Sequence, residues 1–475
     1  MRAGVLAVLA FVVAVPLLLA NTSGAAIHNG DEAIYAQMAR EMADGGGWGT
    51  LTWQREPQFP RPPGAVWILA AARKLAPDER AVRWPLALAA GAEVALLVLL
   101  GAALFGRATG ALAGGVLLTF DLFIGYARYL ESEPFLCAFV VPAFYSWEQA
   151  RRRPRAQLWI LAWGAFLGCA LMTKQILGGL PLLSPCVDAW ARDGETRPVT
   201  RGLLVRGLAA AALVWLPWHV YALAHHGWPF VDSYLLANVL QRGKGAILHT
   251  TRFTYYGREL WRSEGWFGLI ATSAVVWSLV DGIRKRERKP LTVGLWALGC
   301  FAIFTISASR YDHYVLLAYP ALALATAWLI VVRLPFTRTV RTLLALAYLA
   351  AAGAMHLPRD LASFDGDEEV RALVRLAPAA TPILTYNTHA YSARYYADAD
   401  VKTLLESPED FRIAEGLRRT GMPAAVELAS DLGATLRAEP RPFVLLMPRA
   451  RAALLRELHL RQLGESRHYL LMKSE

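Results

Sequence analysis

Two acids, Asp31 and Glu32, follow directly on an apolar first segment. A carboxylate pair at the edge of a membrane is costly to keep without a task. Other ionisable groups also stand against apolar runs. Arg61 precedes Pro62-Pro63, Glu131 and Glu133 lie in ARYLESEPF, Lys174 interrupts GCALMTKQILGG, and Arg310, Asp312 and His313 open SRYDHYVLLAYPALALA. Carboxylates of this kind can take a proton from a weak nucleophile, and cations can stabilise an anion that departs. A lysine forced to mid-bilayer would cost about 2.5–3.5 kcal/mol, whereas at the edge it can meet a phosphate. Each residue also has a plainer use. Acids in a first turn favour the helix dipole, an interfacial arginine snorkels, and a histidine can open a helix without binding anything.

What must hold these residues is a membrane bundle. Of 475 residues, 55% are hydrophobic and 18% charged, with a mean hydropathy of +0.33. That is too apolar for an ordinary soluble protein and too polar for one buried in lipid throughout, so a soluble portion is expected. The net charge of +11 does not point to nucleic acid. The basic residues cluster between apolar segments, as RRRPR at 151–155 and RKRERK at 284–289, which is the positive-inside pattern of a polytopic protein. Cys137, Cys169, Cys186 and Cys300 all fall inside apolar segments, without metal-site or disulfide spacing.

Spanning takes roughly 20 apolar residues. Candidate spans are 3–20, 82–105, 108–127, 134–150, 157–173, 175–190, 203–224, 265–281, 291–308, 313–332 and 339–356. The first is read as a retained helix rather than a cleaved signal. Charge decides the segment 62–76, PPGAVWILAAARKLA, which is short and ends in Arg73 and Lys74. If it spanned, RRRPR and RKRERK would face outward. Laid on the outer surface, it leaves Arg107, 151–155, 192–206, 284–289, Arg333 and Arg338 inside. It is therefore an expected interfacial helix. Residues 31–44 form another, with Asn29 as N-cap and Ile34, Met38 and Met42 on the apolar face. This threading, chosen on charge alone, brings Asp31, Arg61, Glu131, Glu133, Lys174, His249, Arg310, Asp312 and His313 to one outer face.

Beyond residue 356 the composition changes. Strand-like runs at 383–386, 443–446 and 469–471 alternate with helical patterns at 368–376 and 450–460. The expected organisation is a membrane domain over 1–356, with its first outer loop at 21–81, and an α/β domain over 357–475.

The order of these features resembles the GT-C class of membrane glycosyltransferases. It is most similar to the branch of the aminoarabinose lipid A transferases and, more distantly, the protein O-mannosyltransferases. The carrying elements are the acid pair after the first helix, AREM at 39–42, the Trp-rich loop, Arg61-Pro62-Pro63, ARYLESEPF, Lys174, LPW at 216–218 and the SRYDHYVLLAYP segment. The resemblance implies a polytopic α-helical fold of about 11 transmembrane helices with periplasmic interfacial helices. An odd number of spans from a cytoplasmic N-terminus puts the small C-terminal α/β domain outside, which is the periplasm for the bacterial inner membrane that the resemblance implies. The implied activity is inverting transfer of a sugar from a polyprenyl-phosphate donor, undecaprenyl phosphate in bacteria, to a lipid, glycan or protein acceptor.

Carried over position by position, the resemblance makes Asp31 the base, with Glu32 and Glu133 as further catalytic acids. Glu133-Pro134 stands where the family has Asp-Pro. Arg61, where relatives have a lysine before proline, would hold the donor phosphate with Lys174, Arg310 and Tyr314. Tyr35, Arg242, His249 and Arg252 would contact donor or acceptor. His249 matches a metal-contacting histidine of some relatives, but Pro60 replaces the partner acid, so a divalent metal stays open and no cofactor is assigned. A transporter or flippase for a lipid-linked or anionic substrate would also want cations, but near the bilayer midplane and on inverted repeats, and the sequence has neither. A catalytically silent scaffold subunit of the same fold is the remaining reading.

Overall fold

The computed structural model describes residues 1–474 except 23, 192–197, 242–252, 308–309, 363, 365, 389–390, 398, 420–424 and 456–457. Apolar runs become long helices because a chain in lipid must satisfy each backbone group internally. Among the described residues, seven helices are long and apolar enough to cross a membrane: Arg80–Phe105, Ala156–Thr173, Arg201–Asn238, Tyr255–Lys285, Arg288–Ile306, Asp312–Arg333 and Arg338–Ala362. Ala3–Leu19 and Ile176–Trp190 are apolar but shorter, and Ser132–Arg152 carries charged residues at both ends. Val8, Leu213, Ile306 and Leu343 turn outward, an apolar surface that calls for lipid.

The expected span at 108–127 is broken. One helix covers Arg107–Leu117 and a second, short one begins at Asp121. Glu264, fully buried on a neighbouring helix, holds the break by accepting from the Asp121 and Leu122 amides at 3.0 and 3.1 Å. These are amides that a helix start leaves without an intrahelical partner. The Tyr255–Lys285 helix kinks at Gly265, whose φ of 54° lies in the left-handed region that favours glycine.

The first outer loop packs a helix over Asp31–Ala43, a hairpin of strands β1 (Leu51–Trp53) and β2 (Glu56–Gln58), and a helix over Gly64–Arg73. Ile34, Met38 and Met42 are buried with Val66 and Leu69, as the helical spacing requires. The expected N-cap is corrected. Gly30 occupies that position at φ 106°, while Asn29 Oδ1 accepts from the Tyr391 and Ser392 amides at 2.7 and 3.4 Å.

The C-terminal part is one sheet of β3 (Ile383–Tyr386), β4 (Val401–Leu405), β5 (Val426–Leu428), β6 (Val444–Pro448), β7 (Leu460–Glu465) and β8 (Tyr469–Ser474), in the order β5-β4-β3-β6-β8-β7. The first four pair in parallel, and β8 runs antiparallel to both β6 and β7. All four residues of β3 are buried, which is why a central parallel strand reads as an unbroken apolar run. The helix expected over 450–460 is corrected to a 3-10 helix at Arg449–Leu455 followed by β7. Pairing with β8 claims the backbone from Leu460 onward, and local helical spacing gives way to it.

Candidate functional site

The helix at Gly64–Arg73 delivers Arg61, and the end of Ala156–Thr173 delivers Lys174. These two ends meet because Gly64 has no side chain: a Cβ there would lie 2.5 Å from the Met172 carbonyl oxygen. Gln175 Nε2 donates to the Pro60 carbonyl at 3.2 Å and fastens the same junction. A third element, the N-terminus of Ser132–Arg152, brings Glu131, Ser132 and Glu133 beside them.

The resulting cluster alternates in charge. Arg61 Nη2 sits 3.1 Å from Asp31 Oδ2 and Nη1 donates to Ser132 Oγ at 2.9 Å, while the guanidinium lies 4.8 Å from the centre of the Tyr35 ring. Ser132 Oγ in turn donates to Glu133 Oε2 at 3.0 Å. Lys174 Nζ pairs with Glu133 Oε1 and lies 4.6 Å from the centre of the Tyr314 ring. His313 faces Glu131 and Glu133, each at 4.0 Å, and Asp312 at 3.7 Å. Tyr126 donates to Asp312 at 2.7 Å.

Electrostatics follow from burial. Burial of Glu131, reinforced by Asp31 and Glu133 against His313 and Arg61, pushes its carboxyl up to about 8. Burial lowers the Lys174 ammonium from its ordinary range although Glu133 favours the charge. Burial also disfavours charge on Arg61, but Tyr35, Asp31 and Glu131 outweigh it, so the guanidinium stays charged. An anion arriving here would meet cations already held in place rather than flexible surface charges.

The expected site residues divide. Asp31, Arg61, Glu133, Lys174, Tyr35 and Tyr314 come together in this cluster. Glu32 points away from it, into a buried bidentate pair with Arg83 at 2.8 and 2.5 Å. The same carboxylate accepts from the Leu130 and His28 amides at 2.9 and 3.0 Å, so its oxygens are engaged in holding the loop that carries Asp31. Arg310 donates to the Thr305 carbonyl at 2.8 Å, beside the cluster. Arg242, His249 and Arg252 lie outside the described residues. Sequence reasoning passed over Arg83 and Ser132. An arginine inside an apolar span is itself a signal, whereas nothing distinguishes a bridging serine.

Among the described residues, one group has ligand atoms close enough for a metal ion, namely Asp31, Glu131 and His313, within 4.8 Å of one another. The buried Glu131 Oε2 makes no hydrogen bond, which suits a ligand. Arg61 and Lys174, however, already face the site's carboxylates.

Residues 60–227 match the family described as dolichyl-phosphate-mannose-protein mannosyltransferase. An uncharacterized protein of Aquifex aeolicus is 26% identical over 301 residues, which cover 62% of this chain and 58% of that protein. The undecaprenyl phosphate-alpha-4-amino-4-deoxy-L-arabinose arabinosyl transferase of Pseudomonas aeruginosa (strain UCBPP-PA14) is 27% identical over 359 residues, covering 69% of this chain and 61% of that enzyme. The chain thus matches 58–61% of the length of these relatives. The crystal structure of ArnT from Cupriavidus metallidurans bound to undecaprenyl phosphate superposes with a TM-score of 0.73, at 17% identity, over 98% of this chain and 97% of that one. The archaeal oligosaccharyltransferase AglB of Archaeoglobus fulgidus, in complex with an inhibitory peptide and a dolichol-phosphate, gives 0.60 at 11% identity, over 94% and 70%. In fold and in sequence, the chain resembles the GT-C glycosyltransferases of the aminoarabinose transferase and protein O-mannosyltransferase superfamily.

Proposed function

We propose that the protein transfers a sugar from a polyprenyl-phosphate donor to a hydroxyl or phosphate acceptor at the outer face of a bacterial inner membrane. Undecaprenyl phosphate is the expected carrier, with lipid, glycan and protein acceptors all compatible. The observation that carries this reading is the juxtaposition of Asp31 with Arg61 and of Glu133 with Lys174 in one buried cluster. A carboxylate base and paired cations are what displacement of a phosphate leaving group needs.

Asp31 accepts the acceptor O–H proton as the oxygen attacks the anomeric carbon. The bond from that carbon to the phosphate oxygen breaks, and the departing polyprenyl phosphate takes the electron pair as an anion. Arg61 and Lys174, with Tyr314 beside the lysine, hold that anion. A single in-line displacement inverts the anomeric centre. The reading includes about 11 spans, a cytoplasmic N-terminus and a periplasmic domain over 357–475. It also includes a donor-side role for Arg310, and donor or acceptor contacts from Tyr35, Arg242, His249 and Arg252.

The test is release of polyprenyl phosphate by the purified protein in lipid, from a panel of undecaprenyl-phosphate sugars, with membrane extract as the source of acceptor. Turnover that disappears in Asp31→Asn supports the transferase. Bound donor without turnover from any member of the panel would instead favour a flippase or a silent scaffold.

A further inference from the structure

Asp31 has a second side. Away from Arg61 it borders a separate cavity of about 530 Å3, to which Glu131, Asp121, Asp360 and Arg359 also contribute. Arg61 and Lys174 do not line it. Acids outnumber cations on this lining, where Asp31, Glu32, Asp121, Glu131 and Asp360 stand with Arg359. Arg359 pairs with Asp121 and lies 3.6 Å from Asp360. One guanidinium, 63% exposed, therefore answers two carboxyls, while Glu131 has the His313 ring as its one basic partner within 4.0 Å among the described residues. Glu32, also on the wall, is satisfied from behind by Arg83.

Two of these acids are incompletely used. Among the described residues Asp360 Oδ2 has no hydrogen-bond partner, although its side chain is only 9% exposed. Glu131 Oε2 has none either, in a residue 8% exposed. Buried carboxylate oxygens without donors are expensive, and a positive charge in the adjoining cavity offsets that cost.

We infer that this cavity is the acceptor subsite and that it selects an acceptor carrying an ammonium group beside its nucleophilic hydroxyl, such as a saccharide with a free amine. The inference rests on the transferase reading. An in-line displacement places the nucleophile opposite the leaving phosphate, and the cavity lies on the side of Asp31 that the phosphate-holding cations leave open. An ammonium supplies three donors, enough to engage Asp360, Asp121 and Glu131, with the neighbouring hydroxyl at Asp31. An N-acetylated sugar supplies a single amide donor and no charge.

The test is binding of a glucosamine disaccharide and of its N,N′-diacetyl counterpart, each offered free and as a lipid glycoside. The protein is held in nanodiscs with undecaprenyl phosphate present, and binding is followed by ligand-observed NMR. The amine should bind roughly tenfold or more tighter, with the preference lost in Asp360→Asn and Asp121→Asn. A second measurement, binding of undecaprenyl phosphate in the same nanodiscs, should be unchanged in those two variants, because Arg61 and Lys174 do not line the cavity. Equal binding of the two sugars, or a preference that survives both substitutions, overturns the subsite. A preference that follows an amine on the donor sugar overturns its assignment to the acceptor. Amine selectivity without donor turnover by any variant leaves the cavity's specificity standing and overturns the transferase reading alone.

Discussion

The helix Ser132–Arg152 ends in a buried charge cluster at either terminus, and the two are built differently. At the start, Glu133 meets Lys174, with Asp31, Arg61, Glu131 and His313 around it. At the finish, Glu148 is clamped between Arg288 and Arg152, and Asp188 takes Arg151 and the Trp147 indole, with Arg288 at 3.6 Å. The second cluster sets each acid against two cations, and even Asp188 Oδ1, which makes no hydrogen bond among the described residues, has Arg288 at 3.6 Å. In the first, Arg61 and Lys174 face Asp31 and Glu133, Glu131 keeps an oxygen without a hydrogen bond, and the cluster borders an open cavity. Matched charges in a dry interior fasten helices together, and removing one partner is what hurts. A site that must receive and release a charged substrate has to stay unbalanced when empty.

Substitutions should separate the two ends, and the widest gap is expected at Asp31. Asp31→Asn keeps the shape but removes the base, so release of polyprenyl phosphate should fall by roughly 10²–10⁴-fold. The unfolding temperature should hardly move, since Arg61 keeps Ser132. Arg288→Met at the other end should do the reverse. Stranding Glu148 and Asp188 should cost about 3–5 kcal/mol of stability, read as a lower unfolding midpoint in detergent, while the molecules that remain folded keep their KM for donor. An unaltered midpoint in Arg288→Met would erase the distinction between the clusters.

Lys174→Met is predicted to raise donor KM by roughly 10–100-fold through loss of one charge-assisted contact. If kcat fell and KM held, the lysine would act in the transition state only. The smallest effect concerns Glu131, whose carboxyl is pushed up to about 8. Because the unfolded chain ionises it near 4.5, its contribution to stability is complete below that value and is lost as pH rises through about 8. Over the same upper range it gains a negative charge beside the departing phosphate. Donor KM should therefore climb a few-fold between about pH 7 and 9, and Glu131→Gln should flatten the climb.

Much of this was legible in the chain. The positive-inside count alone gathered Asp31, Arg61, Glu133, Lys174 and His313, because lipid makes the placement of charge expensive and so makes it readable. The apolar runs marked most of the helices for the same reason. What the sequence hid depended on partners remote along the chain. Glu32 looks like a twin of Asp31 until Arg83 is seen to occupy it. The break after Leu117 depends on Glu264, and the strand at Leu460–Glu465 on β8. Asn29 fits an N-cap by type, yet its oxygen goes to Tyr391 and Ser392. Local propensity carries no information about such distant claims on a side chain.

That last contact belongs to a set. Tyr396 accepts from the Ile27 amide at 2.7 Å, Glu368 from the Ala26 amide at 2.6 Å, and Arg40 donates to the Tyr395 carbonyl at 2.6 Å. The residues flanking Asp31 are held by residues more than 340 positions further along the chain. During synthesis every membrane helix can be in place while Asp31 still lacks this support. Under the proposed transferase reading the chain thereby carries its own timer, since the base becomes organised only once the ribosome has passed Tyr396.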